Sequence, residues 1–126
     1  MLRRADPSEV YRRVDFDARV TGASPQQLVD LCFEQLSGSL ERAIFAEARG
    51  DNAMKSAALT RAVAALTALQ LGVDGENPTG AALLQLYGSA RRSVLDSAIA
   101  FDRATMEAIR SDFAEIGRAM RASAAA

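Results

Sequence analysis

Three kinds of residue in this chain have the types and spacing to do chemistry: a lone thiol, grouped carboxylates and paired arginines. Cys32 sits in the apolar run Leu31-Cys32-Phe33, flanked by Asp30 and Glu34. A reactive thiolate wants a cationic or helix-N-terminal setting, and here its neighbours are acids, so Cys32 is expected to pack as a small hydrophobe. One cysteine makes no intramolecular disulfide, which fits a reducing compartment. Glu107, Asp112 and Glu115 share a segment with the apolar series Met106, Ile109, Phe113, Ile116 and Met120 but fall opposite it, so they read as the wet face of a helix. The pairs Arg3/Arg4, Arg12/Arg13 and Arg91/Arg92 could touch phosphate, yet Asp6, Glu9, Asp15 and Asp96 lie close by. Fifteen basic residues against 16 acidic ones leave a net charge of −1. A nucleic-acid binder gathers a basic excess on one face, so no nucleic-acid partner is expected.

The chain contains no histidine. That removes the commonest general acid–base and a frequent metal ligand, and with it the Glu-x-x-His di-iron site and histidine phosphorelay of other helical bundles. One cysteine is too few for a zinc site built on Cys and His. The glycine-rich stretch Gly72 to Gly80 lacks the Gly-Lys-Ser/Thr ending of a phosphate loop, and no Gly-x-Ser-x-Gly elbow occurs. No enzymatic activity, cofactor or metal is therefore expected.

With no chemistry to position, the elements themselves carry the function. A length of 126 residues suits one domain, and 49% apolar with 25% charged residues is ordinary globular composition. Ala and Leu dominate the apolar content while strand-favouring runs are scarce, so the fold is expected to be all-α. Ser24-Pro25-Gln26-Gln27 opens a helix: Ser24 caps, Pro25 takes the first position and Gln27 reaches back. Leu28, Leu31, Cys32, Leu36, Leu40 and Ile44 then recur at helical spacing, until Gly50 supplies a left-handed stop. Asp51 caps the next helix at once, with Leu59, Val63, Leu66, Leu69 and Val73 on one face, so the two must fold back antiparallel. Gly72 to Gly80 collects the breakers of the chain, and a third helix begins near Thr79. Asp102 can cap a last helix, although no Gly or Pro separates it from the third, and one helix from Thr79 to about Ala122 is the alternative.

The expected architecture is an antiparallel four-helix bundle over residues 24–122, preceded by an N-terminal arm or short extra helix in residues 1–23. The arm carries Val10, Tyr11, Val14, Phe16 and Val20, more apolar surface than a disordered tail needs. The start, Met1 to Pro7, has charge but no apolar stretch behind it, so no secretory signal is expected. Ala57 to Val73 is interrupted by Arg61 and Gln70 and falls short of the roughly 20 apolar residues of a membrane span, so no insertion is expected. The third helix is apolar on two sides, through Leu83, Leu86, Tyr87 and Val94 and through Leu84, Leu95 and Ile99. Surplus apolar surface must pack against the bundle, a second copy in a homodimer, or another chain.

Tyr11 in the arm, Thr21-Gly22-Ala23-Ser24-Pro25-Gln26-Gln27-Leu28, Leu31-Cys32-Phe33-Glu34, Gly50-Asp51, and Leu86-Tyr87 followed by Arg91-Arg92 together resemble the FliS family of flagellar secretion chaperones. The chain departs from that pattern at Gln35, where glycine is frequent, at Gly75 to Gly80, at Gly88-Ser89-Ala90 and in lacking tryptophan. The resemblance implies a bacterial cytoplasmic export chaperone that folds the disordered C-terminal segment of flagellin into an apolar groove, preventing premature polymerisation. It also implies an arm that covers part of the groove, with Tyr11 and Val14 as the plug. Leu66, Leu69, Leu83, Leu86 and Leu95, on the two helices with wide apolar faces, are the expected groove residues. The alternative is a self-associating helical adaptor without a flagellin client.

Overall fold

The computed structural model describes residues 7–125, and the side chains of all of these except residues 7–9, 11, 14, 124 and 125. Its described residues form five helices and no strand: α1 (Pro7–Thr21), α2 (Pro25–Arg49), α3 (Asn52–Leu71), α4 (Pro78–Ser97) and α5 (Arg103–Ala125). The three prolines of the chain all stand at helix starts, where the missing N–H would have had no partner. Ser24 and Gln27 close a reciprocal capping box, with Gln27 N donating to Ser24 Oγ at 3.2 Å and Ser24 N donating to Gln27 Oε1 at 2.9 Å. Gly50 takes φ 69°, a left-handed conformation that glycine adopts without a Cβ penalty, and Asp51 Oδ1 accepts from Met54 N at 3.0 Å.

The all-α bundle is present as α2 to α5. Side-chain pairs give its register: Gln35 faces Arg61 and Glu47 meets Lys55 across the α2–α3 hairpin, while Phe33 faces Gly117 and Glu41 meets Arg110 between α2 and α5. In each set one number rises as the other falls, so both packings are antiparallel. Arg91 Nε donates to Thr67 Oγ1 at 3.0 Å where α4 runs back along α3. Thus α2 lies between α3 and α5, and α4 completes the bundle.

The core is built from leucines at the predicted spacing, Leu36, Leu40, Leu59 and Leu66, joined by Val94 and Met106. Phe33, Tyr87 and Phe113, from three different helices, add a ring cluster with centroids 5.7 to 6.4 Å apart. The Phe101-Asp102 boundary is a true break. The chain turns at Ala98 to Ala100, and Asp102 then caps α5, its Oδ2 accepting from Thr105 Oγ1 at 2.9 Å. Val94 and Ser97 of α4 and Met106 of α5 are all buried in the bundle, and a continuous helix would carry Met106 away from α2. The arm is helical from Pro7 to Thr21, and Arg19 ties its end to Glu34 of α2 through two hydrogen bonds of 2.9 and 3.1 Å.

Candidate docking grooves

Two apolar hollows open on this bundle. The larger, about 610 Å³, lies at the end where α2 and α4 begin and α3 and α5 finish, and α1 leans over it. Its walls follow from the helix starts and stops. Pro25 and Leu28 bring in the first turns of α2, Leu69 and Val73 the end of α3, Leu83 the start of α4 and Met120 the end of α5. Phe16 and Val20 of α1 form the cover. Gly80 is needed in the wall: a Cβ there would collide with the carbonyl oxygen of Asp74, so only glycine lets the Gly72 to Asn77 loop fold onto α4. Asn77 Oδ1 fixes that corner by accepting from Thr79 N at 2.8 Å.

Cys32 and Tyr87 line the same groove, and both are buried. Burial pushes the Cys32 thiol up from its ordinary pKa, which opposes nucleophilic use. Burial likewise raises the Tyr87 phenol, with the adjacent Cys32 as a secondary cause. The polar residues Asp74, Asn77 and Thr79 sit on the exposed rim.

The second hollow, about 580 Å³, lies between the first half of α3 and the last half of α4. Leu59, Val63, Val94 and Leu95 supply its apolar surface, and Lys55, Ser56 and Thr60 its polar edge. Leu95 is 44% exposed, and Ile99, just beyond α4, is 93% exposed.

The five leucines expected to form one groove divide three ways. Leu69 and Leu83 line the end groove, and Leu95 lines the α3–α4 hollow. Leu66 is 0% exposed in the centre of the core, and Leu86 packs half-buried against that core without lining either described hollow. The side chains of Tyr11 and Val14 lie outside the described residues, so the expected plug is located only to the backbone of α1. Sequence reasoning missed Val29, Tyr87 and Met120 as groove residues. The signal was present in the widening of the α2 stripe by Val29 and Phe33, but periodicity names a face and not the end of the bundle at which that face stays open.

Among the described residues no group of three or more His, Cys, Asp and Glu side chains is placed to hold a metal, and no helix is long and apolar enough to cross a membrane. Four antiparallel helices with a fifth leaning across one open end define a small helical-bundle protein whose distinctive surface is apolar and concave. The chain belongs to the FliS family: the family model described as flagellar protein FliS matches residues 8–125. A curated relative, the flagellar secretion chaperone FliS of Salmonella typhimurium, is 28% identical over 116 residues, covering 90% of this chain and 86% of the relative.

Proposed function

We propose that this protein is a cytoplasmic export chaperone that holds the C-terminal helical region of flagellin and so prevents premature polymerisation before flagellar secretion. The observation that carries this reading is the end groove, a concave surface lined by Leu28, Leu69, Leu83 and Met120 in a member of this family. A disordered client segment gains from such a surface by folding on it as an amphipathic helix, which buries its own apolar face. While that face is buried it cannot join a filament. Phe16 and Val20 place α1 over the groove, so the client competes with α1, and affinity falls by the fraction of time the cover is seated. Tyr11 and Val14, on the same helix, are the proposed further plug.

Calorimetric titration with a flagellin C-terminal segment tests this reading. Wild type is expected to bind with one client per chain, and Leu83→Glu, which places a charge on the groove wall, is expected to abolish binding while the circular dichroism spectrum stays helical. Undiminished binding by folded Leu83→Glu rules out the end groove. A tight dimer in sedimentation with no affinity for flagellin would favour the self-associating adaptor.

A further inference from the structure

Helix α1 is held to the bundle on two sides. Phe16 and Val20, one turn apart, line the end groove, while Ala18 and Arg19 line a separate cleft against Leu31 and Glu34 of α2. In that cleft Arg19 Nη1 and Nη2 donate to Glu34 Oε1 and Oε2 at 2.9 and 3.1 Å, a fork of two parallel bonds. Neither Arg19 nor Glu34 lines the end groove, so the pair restrains α1 without occupying the space a client needs. We propose that the Arg19–Glu34 pair is an electrostatic latch that sets how often α1 covers the groove, and thereby sets the affinity for client and its dependence on salt.

Two features let so modest an interaction decide the matter. No described side chain of α1 is fully buried, and Phe16 and Val20 are only half-buried, so the cover is held by little else. The joint is also independent of the bundle. Ser24 and Gln27 secure the start of α2 through their own capping box, and a Cβ at Gly22 would meet nothing within 4 Å, so α1 can swing at Gly22-Ala23 without unwinding α2. An exposed bidentate pair adds little to the stability of a whole bundle, yet it shifts a two-state equilibrium of one helix by about two- to fivefold. Client affinity follows the open fraction and moves by the same factor where the closed state dominates. Salt screens the latch while leaving apolar burial intact. Added salt should therefore tighten client binding, the reverse of what a client held by charge would show.

This inference rests on the docking of a flagellin segment in the end groove with α1 as its cover, and the test separates the two. Wild type, Glu34→Gln, Leu83→Glu and the charge-swapped Arg19→Glu/Glu34→Arg are titrated with the flagellin C-terminal segment at about 0.1 and about 1 M sodium chloride. At the lower salt Glu34→Gln should bind about two- to fivefold tighter than wild type, the gain lying in the association rate because Glu34 is outside the groove. At the higher salt the two should converge. The charge swap should bring affinity back toward wild type, which a structural defect at either position would not do. In Phe16→Ala/Val20→Ala, where the cover has lost its apolar hold, adding Glu34→Gln should change nothing further. Wild-type or weaker affinity in Glu34→Gln, or no recovery in the swapped pair, with Leu83→Glu inactive, overturns the latch and leaves the groove standing. Wild-type affinity in Leu83→Glu overturns the groove and the latch with it.

Discussion

Gly117 of α5 lies flat against the ring of Phe33 on α2: a Cβ added at Gly117 would stand 2.9 Å from Phe33 Cδ2. The two helices approach so closely here because one of them has no side chain. Phe33 cannot retreat freely, since Tyr87 and Phe113 pack around it.

Gly117→Val should therefore destabilise the fold by about 1–3 kcal/mol, the usual range for overpacking, even though glycine is itself a poor helix former. Thermal denaturation followed by circular dichroism measures it. A midpoint at or above that of wild type would mean that Phe33 relaxes without cost.

Gln35 occupies the position where the family pattern often has glycine, and the structure gives it a task. With its amide oxygen turned toward α3, it accepts from Arg61 Nε at 2.7 Å and Nη2 at 3.0 Å, and Arg61 is 8% exposed. Gln35→Leu should cost about 1–3 kcal/mol, because a buried guanidinium loses an acceptor, while Gln35→Glu should retain stability at neutral pH. Urea unfolding of both variants decides the matter.

The Arg19–Glu34 pair fastens the end of α1 beside the groove. The hydrogen bond from Arg19 holds the Glu34 carboxyl below its ordinary pKa of 4.5. Since the folded value is the lower one, the contribution of the pair is fully present above about pH 4.5 and is lost as pH falls through the folded value. Both side chains are substantially exposed, so global stability should change little. Local exchange is the sensitive readout: amide protection near Arg19 should drop in Glu34→Gln at neutral pH. Unchanged protection would show that apolar contacts of Phe16 and Val20 alone seat the helix.

Cys32, as the single thiol and a groove residue, reports occupancy. Its burial and raised pKa should make native labelling by a thiol reagent at least about tenfold slower than labelling of the unfolded chain. Saturation with the flagellin segment should slow it further. Equal rates with and without client would place the client elsewhere, the α3–α4 hollow beside Leu95 being the next surface to probe.

Much of the architecture was legible in the sequence because local chemistry dictates it. Ser24 and Gln27, Gly50, and Asp51 determine where α2 starts, where it stops and where α3 begins through hydrogen bonds and one backbone conformation that lie within a few residues of each other. The spacing of Leu36, Leu40, Leu59 and Leu66 likewise marks the faces that must be buried. The absence of histidine is a property of composition alone, and it directed attention from catalysis to binding.

Only the tertiary structure decided how those faces are shared. Leu66 and Leu83 look alike as apolar helical positions, yet one is sealed at the centre and the other opens on a groove, because exposure depends on which helices end near it. The separation of α4 from α5 has no Gly or Pro to announce it; packing Val94 and Met106 into one core imposes the turn. The groove exists where four helix ends meet and α1 crosses them, an arrangement set by long-range packing to which no single stretch of sequence corresponds.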